Sequence, residues 1–205
     1  MNAIFLDRDG VLNENRDDHV KNLTECQWIP SALLGLRELA RLRIPIIVIT
    51  NQSIIGRGLA TAATVEAIHQ HMAATAQLYG GRIDAFRFCP HHPQESCRCR
   101  KPQPGLLQQA AREFNIDLHS SLFIGDAFTD YQAASATNTR YIHVLTGRGP
   151  AAVGLLQQTD PTIPIVADLL AAVPLCQELL RQPTALPLSA TPPLTITPAP
   201  LLSTT

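Results

Sequence analysis

Short apolar runs alternate with longer amphipathic stretches along most of the chain, and this alternation predicts strands followed by helices. Strands are predicted at residues 3–7, 44–50, 85–89, 122–125, 141–145 and 163–166. Helices are predicted at residues 31–42, 61–79, 105–114 and 131–136, with short helices continuing to Arg181. A new helix is expected to begin at Pro174, because a proline inside a helix would break it.

The run at residues 44–50 is β-branched and apolar on both faces, which is typical of a central strand in a parallel sheet. The repeated alternation predicts an α/β fold, a three-layer, Rossmann-like, doubly wound parallel sheet with helices on both faces. We expect one domain at residues 1–181. Residues 182–205 are rich in Pro, Thr and Ser and carry no charge, which predicts a disordered or extended tail.

Composition excludes several classes of partner. Charged residues make up 16% of the chain and hydrophobic residues 45%, and the net charge is −1. This balance predicts no nucleic-acid partner and no membrane-binding face. The apolar runs are far shorter than the roughly 20 residues that cross a bilayer, and we expect no signal peptide. A cytoplasmic protein is therefore expected.

Polar side chains follow three of the predicted strands, at the point where each strand ends. They are Asp7 and Asp9, Thr50 and Asn51, and Asp126 and Asp130. The carboxyl ends of parallel strands meet at one edge of a sheet, where ligands bind. Any one of these groups could be an ordinary solvated turn, but their convergence favours a functional site.

Closely spaced carboxylates repel one another unless they share a cation, and Mg²⁺ prefers such oxygen ligands. We predict a Mg²⁺ site at Asp7, Asp9 and Asp126, with a backbone carbonyl near Asp9 as one ligand and Asp130 behind the ligands. Phosphoryl transfer gives each group a role. Asp7 would attack phosphorus, and Asp9 would protonate the leaving oxygen and later deprotonate the hydrolytic water.

Cationic and polar groups that could bind a phosphorylated substrate are few. Lys101 is one of only two lysines in the chain and follows Arg100 directly. The remaining candidates for substrate binding are Thr50, Asn51 and Arg57. Arg57 lies between two glycines, which is also the composition of a simple turn.

Cysteine and histidine residues cluster in a predicted irregular segment. Cys89, His91, Cys97 and Cys99 supply the Cys₃His set of a structural Zn²⁺ site, with no open position for catalysis. Spacing alone does not choose His91 over His92. The alternatives are a disulfide or unrelated buried thiols. Bound zinc would order a loop that has no core of its own and would fix the residues after Cys99.

Four motifs together resemble those of haloacid dehalogenase superfamily phosphatases. They are Asp-Arg-Asp-Gly at residues 7–10, Thr-Asn-Gln-Ser at 50–53, Arg-Lys-Pro at 100–102 and Gly-Asp-x-x-x-Asp at 125–130. The cysteine cluster before Arg-Lys-Pro is similar to that of the histidinol-phosphatase and heptose-bisphosphatase branch. The resemblance covers roughly residues 1–180. It implies a Mg²⁺-dependent phosphomonoesterase with structural zinc, no large cap domain, a small exposed site and a monomer.

Two substrates are compatible with that branch. The Thr-Asn-Gln-Ser-x-x-x-Arg-Gly and Cys-Pro-His-His-Pro stretches are more similar to enzymes that remove the 7-phosphate of D-glycero-D-manno-heptose 1,7-bisphosphate. Histidinol phosphate is the alternative substrate. The sequence departs from the branch at Ile54, at Ala127 and in the loop at residues 18–20, positions expected to face the substrate. A zinc-stabilised scaffold without turnover is the alternative of another class.

Overall fold

The structure is a computed structural model and describes residues 1–181. One sheet contains six parallel strands in the order β3-β2-β1-β4-β5-β6. The strands are β1 (Ile4–Leu6), β2 (Ile46–Asn51), β3 (Ala85–Cys89), β4 (Leu122–Gly125), β5 (Arg140–Val144) and β6 (Ile165–Val166). The helices are α1 (Pro30–Ala40), α2 (Ala62–Leu78), α3 (Gly105–Phe114), α4 (Phe128–Ser135), α5 (Gly149–Thr159) and α6 (Leu169–Arg181).

Side chains alternate along the buried strands and form a core on each face of the sheet. In β1, Ile4 and Leu6 pack into the core beneath α1, α2 and α6, whereas Phe5 packs into the core beneath α3, α4 and α5. All three side chains are completely buried. Because both faces are covered, these strands are apolar throughout. The predicted three-layer doubly wound α/β fold is confirmed.

Strand order places the polar strand ends side by side. The chain adds β2 and β3 on one side of β1, then crosses over and adds β4, β5 and β6 on the other. This reversal creates a crevice between β1 and β4 at the carboxyl edge, which is where open α/β sheets bind ligands. Asp7 follows β1 directly and Asp126 follows β4 directly.

Two helical features differ from the sequence-based prediction. The break predicted at Pro174 is wrong, because α6 continues through that proline. Proline removes one helical hydrogen bond, but α6 packs extensively on α1 and buries Leu169, Val173 and Cys176. Tertiary packing therefore maintains the helix. Helix α5 was not predicted, although Pro150 in its first turn is a typical helix start.

The carboxyl edge is covered by a loop and not by a cap domain in the part of the chain described. Residues between β1 and α1 contain only a short 3-10 helix (Leu23–Glu25), and Asn15, Arg16 and His19 from this segment line the crevice. The predicted tail at residues 182–205 lies outside the described residues. Among residues 1–181, no helix has the length and apolarity needed to cross a membrane.

Candidate active site

Three carboxylates meet at the crevice between β1 and β4. Oxygen atoms of Asp7, Asp126 and Asp130 all lie within 4.8 Å of one another. The three side chains are buried, and Asn15 Nδ2 donates to Asp126 Oδ2 over 2.9 Å. An all-oxygen set of this kind fits Mg²⁺, which is bound by carboxylates together with water and phosphate oxygens. The structure thus brings Asp7 and Asp126 together as predicted, with Asp130 as the third carboxylate.

Burial of this negative charge raises the affinity of Asp7 and Asp126 for protons. Burial raises the pKa of Asp7 well above its usual value, opposed by the charge of Lys101 and reinforced by Asp130 and Asp126. Burial, followed by the charge of Asp130, raises the pKa of Asp126 from 3.8 to about 7. A divalent cation would offset this repulsion, so the electrostatics of the cluster also fit a metal.

Lys101 supplies positive charge at the centre of the cluster. Its Nζ lies 2.7 Å from Asp7 Oδ1 and 2.7 Å from Asp130 Oδ1, and donates to the carbonyl oxygen of Ile49 over 2.9 Å. The side chain is buried. Burial alone would lower the pKa of Lys101, but the charges of Asp130 and Asp7 outweigh burial and raise it. Lys101 is therefore a permanent cation next to Asp7.

The end of β2 holds Lys101 in place. Asn51 Oδ1 accepts from the backbone N–H of Lys101, and Asn51 Nδ2 donates to the carbonyl oxygen of Lys101, each over 3.0 Å. Asn51 was predicted to bind substrate. In the structure, its side-chain amide makes two hydrogen bonds to the backbone of Lys101. Thr50 is buried at the crevice, where its Oγ1 accepts from Gln52 Nε2 over 2.9 Å.

The Asp9 carboxylate is not part of the acidic cluster, although Asp9 lines the same cavity. Arg8 Nη2 donates to Oδ1 over 2.7 Å, Asn13 Nδ2 donates to Oδ1 over 2.9 Å, and Gln52 Nε2 donates to Oδ2 over 2.9 Å. Burial would raise the pKa of Asp9, but the charge of Arg8 and these hydrogen bonds hold it below its usual value. With its side chain engaged in this way, Asp9 has only its backbone carbonyl to offer a metal.

A cavity of about 360 Å³ opens above these groups. Arg100 lines it, and the buried Arg100 Nη1 has no hydrogen-bond partner among the described residues. Arg57 does not line the cavity; it is exposed, and its Nε donates to Ser53 Oγ over 3.4 Å. The lining also includes the positions where the sequence departs from its branch, Ile54, Ala127 and His19.

Several residues of this site carry no clear signal in the sequence. Arg148 lines the cavity and its backbone N–H donates to Asp126 Oδ2 over 2.7 Å. Arg148 lies in a Gly-Arg-Gly stretch directly after β5, and this position at a strand end could have identified it as a site residue. Arg8, Asn13 and Gln52 were also missed as partners of Asp9, because sequence shows proximity along the chain and not the direction of a side chain.

The predicted zinc ligands form a compact cluster at the end of β3. Cys97 Sγ lies 3.6 Å from both Cys89 Sγ and Cys99 Sγ, and His91 Nδ1 lies 3.2 Å from Cys99 Sγ. A tetrahedral zinc site with bonds of about 2.3 Å has ligand-to-ligand edges of roughly 3.5–3.8 Å. The two sulfur–sulfur distances fall in this range and fit Zn²⁺. The group that could hold the ion contains His91 and not His92, whose Nδ1 accepts from the backbone of Gln94.

Comparisons with known proteins agree with this geometry. The HAD-hydrolase-like family model matches residues 98–172. The chain is 37% identical over 170 residues to D-glycero-beta-D-manno-heptose-1,7-bisphosphate 7-phosphatase of Pseudomonas aeruginosa, covering 83% of this chain and 94% of that protein. It is 39% identical over 134 residues to the corresponding alpha-heptose phosphatase of Mycobacterium tuberculosis, covering 64% of this chain and 70% of that protein.

Among solved structures, D,D-heptose 1,7-bisphosphate phosphatase from Bordetella bronchiseptica, complexed with magnesium and phosphate, matches with a TM-score of 0.81 and 36% identity. The match covers 87% of this chain and 99% of that one. Fold and site together define a hydrolase of the haloacid dehalogenase-like class, as the four motifs predicted. Within that class, the chain belongs to the D-glycero-D-manno-heptose-1,7-bisphosphate 7-phosphatase family.

Proposed function

We propose that this protein removes the 7-phosphate of D-glycero-D-manno-heptose 1,7-bisphosphate in a Mg²⁺-dependent reaction. The observation that carries the proposal is the convergence of Asp7, Asp9 and Lys101 on one cavity, in a chain whose full-length relatives are named for this reaction. The cavity is small and polar at its base, which suits a phosphate group.

Each step has a residue in position. A carboxylate oxygen of Asp7 attacks phosphorus, the bond from phosphorus to the sugar oxygen breaks, and a protonated Asp9 gives its proton to that oxygen. Because Arg8 and its neighbours hold the pKa of Asp9 below its usual value, Asp9 must take up this proton when substrate is bound. Asp9, now ionised, takes a proton from water. The water oxygen attacks the phosphorus of the aspartyl-phosphate, the bond to Asp7 breaks, and inorganic phosphate leaves.

Positive charge stabilises the phosphoryl group during both steps. Lys101 lies beside Asp7, and the unpartnered Nη1 of Arg100 suits a substrate oxygen. Asp7, Asp126 and the backbone carbonyl of Asp9 would hold Mg²⁺, which supplies charge neutralisation for the transferring group when bound. Asp130 positions Lys101 through an ion pair, in which Asp130 Oδ1 lies 2.7 Å from Lys101 Nζ. Arg57 would reach a substrate only from the rim.

The direct test is phosphate release with Mg²⁺ from both anomers of heptose 1,7-bisphosphate and from histidinol phosphate. We expect kcat/KM for a heptose anomer to exceed that for histidinol phosphate by about a hundredfold or more, since the site is then matched to one substrate in the transition state. An equal or higher value for histidinol phosphate would contradict the substrate assignment and would make Ile54 and His19 specificity determinants.

An Asp7→Asn variant separates an enzyme from a scaffold. The amide cannot attack phosphorus, so we expect kcat to fall by about a thousandfold or more with an unchanged fold. Phosphate release equal to that of the unaltered protein would contradict the proposed nucleophile. No release from either form would favour the scaffold alternative.

Zinc at the Cys₃His cluster is proposed on the basis of the donor spacing and the chemistry of thiolate and imidazole ligands. Its role would be structural, because four protein ligands fill a tetrahedron. Metal analysis should find about one zinc per chain and much less in a Cys97→Ala variant. An equal zinc content in both forms would contradict this site.

The remaining expectations concern assembly and location. A monomer is proposed because one chain supplies every residue of the site, and sedimentation analysis would test it. Free thiols at a metal cluster suit a reducing compartment such as the cytoplasm. Fractionation of cells that express the protein would test that location.

A further inference from the structure

In the sequence, Arg8 lies between the two proposed catalytic aspartates, Asp7 and Asp9. Its side chain is buried, and its guanidinium group has a partner on each side. On one side, Nη2 donates to Asp9 Oδ1 over 2.7 Å and to Oδ2 over 2.9 Å, and Nε donates to Oδ1 over 3.2 Å. On the other side, Nη1 lies 3.3 Å from His69 Nε2. Only 1% of Arg8 is exposed. Arg8 thus fixes the direction of the Asp9 carboxylate together with Asn13 and Gln52, and it is the only charged group of the three.

His69 is itself fixed by two aromatic rings. It projects from α2 and is 4% exposed. Its ring stacks on Phe86 with a centroid distance of 4.3 Å and an interplanar angle of 8°, and meets the edge of Phe88 at 5.5 Å. Both phenylalanines belong to β3. His69 is therefore held between α2 and β3 with Nε2 directed at Arg8.

The contact between Arg8 and His69 requires a neutral imidazole. Arginine can only donate, so Nε2 of His69 must accept, and the ring proton then resides on Nδ1. Burial, together with the charge of Arg8, lowers the pKa of His69 to about 3. The ring consequently remains an acceptor throughout the physiological pH range. It does not line the active-site cavity and cannot touch a substrate there.

We infer that His69 is a positioning residue for the reaction, which fixes Arg8 and through Arg8 the orientation of the Asp9 carboxylate. The inference rests on the proposed function, because it takes Asp9 as the group that exchanges protons with substrate and water. Among the described residues, Asp9 is the only carboxylate that pairs with Arg8. If the His69 contact is lost, the guanidinium group is held on one side only, and Asp9 depends more on its hydrogen bonds from Asn13 and Gln52.

Three variants test the inference, with kcat and KM measured separately. His69→Phe keeps an aromatic ring against Phe86 but removes the acceptor. We expect kcat to fall about tenfold with KM unchanged, since one hydrogen bond to a charged group is lost away from the substrate. His69→Gln offers an amide oxygen to Arg8 and should recover most of this loss. His71→Phe alters an exposed position on the same helix and should leave both constants unchanged.

Melting temperatures of all three variants separate positioning from folding. A lower kcat in His69→Phe, with a melting temperature equal to that of His69→Gln, would support positioning. Equal kcat values in His69→Phe and the unaltered protein would overturn the inference, as would equal losses in His69→Phe and His69→Gln. Asp9→Asn tests the proposed function independently, because full activity in that variant would contradict the acid–base role of Asp9 itself.

Discussion

At the scale of single residues, the site concentrates more negative charge than its own cation can balance. Oxygen atoms of Asp7, Asp126 and Asp130 lie close together, and the ammonium group of Lys101 pairs with two of the three, Asp7 and Asp130. In the metal-free protein this excess opposes folding, because the unfolded chain lets the carboxylates separate. The charges that would bind Mg²⁺ are therefore maintained at the expense of stability.

An Asp126→Asn variant measures this cost. The folded-state pKa of Asp126 is raised from 3.8 to about 7, so the folded protein binds protons more tightly and loses stability as pH rises from about 4 to about 7. Asparagine removes the charge and keeps an oxygen for the N–H of Arg148. We expect the metal-free variant to be more stable than the unaltered protein at pH 8, by about 1 kcal/mol or more.

The control is the same comparison at pH 4 and with saturating Mg²⁺, by urea unfolding. At pH 4 the two proteins should differ much less, because Asp126 is then protonated in the folded state and partly protonated in the unfolded state. Added Mg²⁺ should stabilise the unaltered protein and not the variant. A variant that is less stable at pH 8 without metal would show that the charge of Asp126 does not oppose folding.

Sequence predicted those residues of the site whose role depends on position along a strand. Asp7 and Asp126 were identifiable because each directly follows an apolar run, and strand order brings such ends together. Arg8 and His69 were not, because their contact joins residues 61 positions apart. An arginine between two aspartates looks like a solvated charge until its burial is known.

At the scale of elements, two glycines in helices have opposite surroundings. Gly35 lies in α1 against α6, where an added Cβ would be 2.9 Å from Leu169 Cγ and 3.1 Å from the Leu170 nitrogen. Gly154 lies in α5, where an added Cβ would meet nothing within 4 Å. Alanine has the better helix propensity at both positions, so packing alone distinguishes them.

Gly35→Ala and Gly154→Ala therefore form a matched pair. We expect Gly154→Ala to stabilise the protein by about 0.5–1 kcal/mol, the usual gain from replacing a glycine inside a helix. Gly35→Ala should destabilise it by about 1–3 kcal/mol, because α1 and α6 must separate to admit the methyl group. Thermal unfolding of both variants checks the signs. A gain in both would mean that α1 and α6 do not pack as closely as described.

Strands were easier to predict than helices because their burial is visible in the local sequence, whereas helix α6 depends on packing against a distant part of the chain. Strands β1 and β2 are buried on both faces, so their apolar character is visible in the sequence alone. Helix α6 contains Pro174 and is maintained by its packing on α1, a contact between distant parts of the chain. Local propensity cannot reveal an element that owes its continuity to a distant partner.

At the scale of the whole molecule, the six strands, the two cores and the cavity lining described above all fall within residues 1–181. Helix α6 completes one core through Ala172, Val173 and Cys176, and ends at Arg181.

A chain ended after Arg181 should therefore keep the melting temperature and the kcat/KM of the full chain. Fluorescence melting and phosphate release would compare the two. A chain ended before α6, at residue 168, is the control and should not fold, because that core is then open to water. A clear loss in the longer truncation would contradict the proposed domain boundary and would mean that residues 182–205 contribute to stability or activity.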